Sequence, residues 1–128
     1  MATSALKTLF IIIERSKAEK LTDALANCGV NYQHEVFALG TARTGFLEII
    51  GIGETEKTLV VGTIKSEQVE VVRHLLDQDF GFNKPGAGIA FTIPISAVGG
   101  EASMYILAGG LMQPKTSTRR KRKWVILN

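Results

Sequence analysis

The densest chemical signal in the chain lies in Asn83-Lys84-Pro85-Gly86-Ala87-Gly88-Ile89-Ala90-Phe91. Glycines two apart let successive backbone N–H groups point into one concavity, and Lys84 adds a positive charge beside it. That is how a loop receives a phosphate. The same residues also read as an ordinary helix-to-strand turn punctuated by Pro and Gly, and spacing leaves both readings open. A second candidate is Gly40-Thr41-Ala42-Arg43, where Arg43 is one of three arginines in residues 1–114. A loop-borne arginine is either an anion contact or simply solvated.

The rest of the inventory is poor in catalytic groups. His34 and His74 have no acid or cysteine at a ligand spacing such as i, i+4, so neither starts a metal motif. Cys28, the one cysteine, lies on the apolar side of an expected helix, whereas a reactive thiolate wants an electropositive, partly exposed site. Ser16 and Ser66 read as helix caps. No Ser/His/Asp arrangement can be argued, and an enzyme is disfavoured.

The formal charge of +3 misleads. Residues 115–128 carry six Lys/Arg and no acid, leaving nine Lys/Arg against twelve Asp/Glu in residues 1–114. The basic character belongs to a tail, so the body has little of the electrostatic footprint of a nucleic-acid binder. The division expected is a folded body over 1–114 and a basic tail over 115–128. No apolar run exceeds five residues, too short for a membrane-spanning helix, and the start lacks the pattern of a secretory signal. A cytoplasmic domain is the expectation.

These candidates must be positioned by a small set of elements. Leu6 to Ile13 reads as a buried strand. Ser16 with Glu19 three residues on has capping-box spacing, followed by Leu21, Ala24, Leu25 and Cys28 at helical spacing and a stop at Gly29. Tyr32 to Leu39 and Lys57 to Ile64 read as strands two and three. Ser66 opens a second amphipathic helix with Val69, Val72, Leu75 and Leu76 on one face. Ile89 to Ile95 is the fourth strand. The order β-α-β-β-α-β is the split βαβ, ferredoxin-like arrangement: an α+β fold with a four-stranded antiparallel sheet and two helices on one face. Strands one and three carry apolar residues on consecutive positions, so both faces look buried while helices cover only one. A neighbouring subunit is the simplest cover for the other face, and residues 98–114 folding back are the alternative.

Together these features resemble the nitrogen-regulatory P-II-like signalling family, over roughly residues 6–95. The resemblance rests on the element order, on Gly40-x-x-Arg43 at the end of strand two, and on Lys84-x-Gly86-x-Gly88-x-x-Phe91 before strand four. Ser66-Glu67-Gln68-Val69 is similar to the opening of the family's second helix. Gly51 to Lys57 and Gly88 to Ile95 look like the divergent, short-loop branch. The resemblance implies a homotrimer that binds an adenine nucleotide (ATP, ADP or AMP) between subunits and regulates a partner: a membrane transporter, an enzyme or a transcription regulator. By the same resemblance Lys84, Gly86 and Gly88 cradle phosphates, Arg43 reaches them from the base of the loop, and Gly40, Thr41 and Ile64 border the base. Phe46, Leu47, Ile49 and Ile50 would form a docking surface on the loop or pack on a neighbouring subunit.

The chain departs from the family at four places. Ile89 replaces the second lysine of the phosphate loop, and Thr44 the glutamine that helps hold magnesium and 2-oxoglutarate. Residues 43–57 contain no tyrosine to be uridylylated, and residues 97–108 lack the basic pair that clamps phosphates. The expectation is a weaker or altered nucleotide site without metal. Two other classes remain: a CutA-like structural or metal-tolerance trimer, and an adaptor working through Arg119 to Lys123 on a membrane surface or nucleic acid.

Overall fold

The computed structural model describes residues 5–39, 56–107 and 124–127. Strand β1 (Leu6–Glu14) runs into a 3-10 turn (Arg15–Lys17) and helix α1 (Ala18–Asn27). Strands β2 (Gln33–Leu39) and β3 (Glu56–Lys65) follow, then a second 3-10 turn (Ser66–Gln68) and helix α2 (Val69–Phe80). Strand β4 (Ile89–Pro94) ends the core unit, and β5 (Ala97–Gly99), helix α3 (Glu101–Leu107) and β6 (Trp124–Ile126) are added to it. The main sheet has the order β2-β3-β1-β4 with every pairing antiparallel. The ferredoxin-like α+β fold is therefore the observed one.

Strand alternation explains how the sheet acquires two apolar faces. Leu9, Ile11 and Ile13 of β1, with Val60 and Ile64 of β3, point to one face and are at most 2% exposed. Leu21 and Leu25 of α1 and Val72, Leu76 and Phe80 of α2 pack on them as a single core. Each such aliphatic side chain contributes about 1.5–3 kcal/mol by burial, so this layer accounts for the cohesion of sheet and helices. Register sets Phe10, Ile12, Leu59, Val61, Ile89, Phe91 and Ile93 on the opposite face. Phe10 and Phe91 stack there at 5.0 Å between ring centres.

That second face is covered only in part. Leu6 packs with Val98, Met104 and Leu127 in a smaller core, flanked by Ile95, Leu107 and Val125. Of the segment 98–114 expected as an alternative cover, the described part, 98–107, folds back at the Leu6 end. It leaves Ile89, Phe91, Ile93 and Val36 exposed. Residues 124–127 stand at the far end of the segment read as a basic tail, yet they belong to the packed body. Trp124–Ile126 pairs with β5, and Leu127 is buried and donates its N–H to the Ser96 carbonyl at 2.7 Å. An apolar Val-Ile-Leu end beside a basic run signals this packing, but composition of the segment as a whole conceals it.

The caps differ from expectation. Ser16 lies inside the first 3-10 turn and donates its hydroxyl to a Glu14 carboxylate oxygen at 3.4 Å, so the Ser16–Glu19 capping box does not form. The chain leaves β1 by a tight turn, and the regular helix begins after Lys17. Ser66 reaches Ala5 instead of capping, donating both its N–H and its hydroxyl to that carbonyl. The side chain that satisfies the helix start is Gln68, whose Oε1 accepts the Lys65 N–H at 2.8 Å. Helix ends follow the simpler rule: Gly29 and Gly81 take positive φ of 91° and 68° at the two C-termini.

Candidate functional site

The Lys84–Gly88 loop is built by its two neighbours. Helix α2 stops at Gly81, where the Phe82 N–H returns to the Leu76 carbonyl at 3.0 Å, and the Lys84 N–H closes on Gly81 O at 2.9 Å. Among the described residues, the amides of Gly86, Ala87 and Gly88 make no such turn bond. Gly86 and Gly88 have φ of 97° and 147°, open to glycine and hostile to other residues. Gly88 also lies hard against the end of β1: a Cβ there would sit 2.4 Å from the Ile12 carbonyl oxygen and 2.7 Å from the Phe82 ring. Close approach and positive φ both demand glycine at position 88, and the Lys84 side chain is exposed on the same loop.

Register places the other candidates relative to this loop. Ile89 pairs with Ile12, Glu14 with Lys57, and Leu39 with Glu56. The Gly81–Gly88 loop and the segment between β2 and β3 therefore emerge from the same end of the sheet. They do so at opposite edges, because β3 and β1 lie between β2 and β4. Three strand spacings amount to about 14 Å. Gly40, Thr41 and Arg43, and the docking candidates Phe46, Leu47, Ile49 and Ile50, lie outside the described residues. Ile64 is not brought to the loop: it pairs with Lys7 near the opposite end of β1 and is 1% exposed in the core. It lines, with Leu9, Val69, Val72, Leu76 and Ala90, an apolar cavity of about 190 Å³ beside β4. Arg73 at its rim is already engaged by Glu70 at 2.8 Å and Asp77 at 3.7 Å. The Arg73 guanidinium holds the Glu70 carboxyl below its ordinary value.

Two cations that sequence reasoning passed over stand at the stem of the 40–55 segment. Arg15 donates from Nη2 to the Ala38 carbonyl at 3.3 Å, approaches Glu56 at 3.7 Å and lies 4.8 Å above the Phe37 ring. It thereby ties the end of β2 to the start of β3. Lys57 is 3% exposed, and its ammonium has no hydrogen-bond partner among the described residues. A buried ammonium is costly unless a counter-charge stands near, and the cross-strand neighbour of Lys57 is Glu14. The only sequence signal was a Lys beginning an apolar strand. Arg15→Ala is expected to lower stability by about 1 kcal/mol, from lost stacking and the Ala38 bond. Glu56→Ala should cost clearly less, because an ion pair with so exposed a carboxylate is worth little. Urea unfolding of both variants checks the order.

The remaining candidates fall into plain roles. His34 is exposed and meets Tyr32 edge-on at 5.0 Å, and His74 is exposed on α2. Cys28 is half-buried at the end of α1. Among the described residues no three His, Cys, Asp or Glu side chains converge as a metal site requires, and no helix is long and apolar enough to cross a membrane.

No family model matches the sequence. No curated protein matches it either. Solved structures do match in fold. CPII, a nitrogen regulatory PII-like protein from Thiomonas intermedia K12 solved with ADP, AMP and bicarbonate, is 23% identical with a TM-score of 0.56; the match covers 71% of this chain and 90% of that one. A putative PII-like signaling protein from Thermus thermophilus is 17% identical, TM-score 0.55, over 74% of this chain and 90% of that one. The GlnK–ATP complex of B. subtilis is 21% identical, TM-score 0.54, over 76% and 88%. The chain has the fold of these PII-like proteins.

Proposed function

We propose that the protein is a P-II-like regulator, not an enzyme, that holds the phosphates of an adenine nucleotide in its Lys84–Gly88 loop. The observation that carries the reading is that loop: two positive-φ glycines, amides uncommitted to a turn, and an exposed lysine at the end of a sheet whose fold is shared with nucleotide-bound PII-like proteins. The nucleotide lies at a subunit boundary of a homotrimer. Support comes from the separation of the two candidate segments to opposite edges of one sheet, and from the apolar face left exposed on the single chain. Gly40, Thr41 and Arg43 contribute from the base of the 40–55 segment, whereas Ile64, buried near the opposite end of β1, takes no part in the site. Phe46, Leu47, Ile49 and Ile50 act on a target protein, a membrane transporter or an enzyme, in the cytoplasm. No metal is required.

Calorimetric titration with ATP, ADP and AMP tests the reading. Ile89 in place of the family's second lysine removes one charge-assisted contact, worth roughly 1.5–3 kcal/mol in a desolvated site. Binding is therefore expected at micromolar affinity or weaker, with little preference for the triphosphate. Lys84→Ala and Arg43→Ala should each weaken it about tenfold or more. Undetectable binding of all three at millimolar concentration would reduce the protein to a P-II-like scaffold without nucleotide function. Binding indifferent to both substitutions would mean the phosphate lies elsewhere.

A further inference from the structure

The apolar cavity beside β4 follows from two small side chains on an edge strand. On the helix side of the sheet, β1 carries the buried Leu9 and Ile11, and β4 opposes them with only Thr92 and Ala90. Helix α2 lays Val69, Val72 and Leu76 over this part of the sheet, and the bulk missing at Ala90 leaves a space of about 190 Å³. No strand pairs with the outer edge of β4 among the described residues, and the space opens along that edge. Arg73 is the only charged side chain in the lining, and Glu70 at 2.8 Å and Asp77 at 3.7 Å already hold its guanidinium. None of the lining residues has a buried polar side-chain atom left without a partner. The two walls, α2 and β4, are the elements that the Gly81–Gly88 loop joins.

We propose that this cavity binds one small, neutral, apolar molecule, of the size of a single aromatic ring or a branched chain of about six to eight carbon atoms. An engineered protein cavity of about 150 Å³ lined by Leu, Ile and Phe stays dry and takes benzene. The space beside Ala90 matches it in size and in its aliphatic lining. Water has little to gain there, because a held water needs two to four polar partners and the lining offers almost none. An apolar molecule gains by leaving water for the same surface. Charge selects against ions. A carboxylate would have to displace Glu70 or Asp77 from Arg73, and an ammonium carried inward would find no partner among Leu9, Val72 and Leu76. The inference does not depend on the nucleotide reading. An occupant contacts both arms of the Gly81–Gly88 loop without touching the loop amides, so it leaves that loop free for its own ligand.

Toluene and benzoate carry the same ring, one neutral and one charged, and serve as probes of the full chain. Toluene near its solubility limit is expected to raise the unfolding midpoint by about 2–5 °C. It should also shift the methyl NMR signals of Val72, Leu76 and Ala90 ahead of all others. Benzoate at the same concentration should do neither. Ala90→Ile fills the space with a residue suited to a strand, so toluene affinity, read from the Val72 and Leu76 methyls, should fall about tenfold or more. Absence of both responses to toluene in the unmodified chain overturns the proposal, whatever the fate of the variant. So does toluene binding undiminished in a folded Ala90→Ile chain, or shifts centred on Ile89 and Ile93, which would put the ring on the opposite face of the sheet. Benzoate binding as tightly as toluene would overturn the neutral class. Methyl signals that move on dilution of the protein and not with toluene would give the space to a neighbouring copy instead.

Discussion

Gly88→Ala is expected to destabilise the protein by about 2–6 kcal/mol, far more than its single methyl group suggests. Two penalties act at once. A φ of 147° is a conformation that L residues rarely hold, and such strain costs about 1–3 kcal/mol. The new methyl would also meet the Ile12 carbonyl at 2.4 Å and the Phe82 ring at 2.7 Å, and relieving overpacking of that kind costs a further 1–3 kcal/mol. The ring can yield, but the carbonyl belongs to the central strand and cannot move without disturbing the pairing of Ile12 with Leu59 and Ile89. Gly81→Ala is the matched comparison: its φ is 68° but nothing lies within 4 Å, so only the left-handed penalty of about 1–2 kcal/mol applies. Urea denaturation of both variants reads the difference. Equal losses at the two positions would mean that the loop is not seated on β1 as described.

Phe91→Lys is expected to convert the proposed trimer to monomer while leaving the chain folded. Phe91 lies midway along β4 on the face opposite the helices, stacked on Phe10 and between Ile89 and Ile93. It is 46% exposed in the single chain, so a lysine there can reach water and the cost to folding is modest. If copies of the chain cover that face, the same ammonium is buried without a counter-charge. A penalty of several kcal/mol lowers association by about three orders of magnitude. Sedimentation velocity at micromolar concentration separates the states. Val71→Lys, at a position of similar exposure on the outer side of α2, should leave assembly unchanged. An unmodified chain that sediments as a monomer would sink the trimer outright, and a Phe91→Lys chain that still assembles would move the interface to another surface.

The two outcomes bear on the nucleotide site in different ways. Gly88 shapes the proposed phosphate loop within one chain, whereas Phe91 would act on it only through assembly. A variant that stays folded and monomeric but no longer binds nucleotide would place the completed site at the boundary between copies.

Most of the architecture was legible in the residue order because it rests on periodicity. The branched and aromatic runs of Leu6–Ile13 and Lys57–Ile64, helical spacing in Leu21–Leu25 and Val72–Leu76, and glycine at Gly29 and Gly81 are local properties that survive into the fold. The turn before β4 was legible for the same reason, since Gly86 and Gly88 signal backbone conformations that glycine alone adopts readily. The caps were misjudged because a hydroxyl has several acceptors within reach. Ser16 and Ser66 took Glu14 and Ala5, and Gln68, three residues inside the turn, satisfied the helix start instead.

Sequence by itself determined which segments become strands and helices, that one sheet face must find cover beyond the two helices, and that the turn before β4 needs glycine. Tertiary structure alone decided which residues meet. Strand order set Leu39, where β2 ends, on the opposite edge of the sheet from Ile89, where β4 begins, and register sent Ile64 into the core at the far end of the sheet. Pairing across the molecule drew Trp124–Ile126 out of a basic tail and onto β5. It also buried Lys57 without a partner among the described residues and set Arg15 across the loop stem. Local spacing cannot encode these facts, because each depends on contacts between residues tens of positions apart.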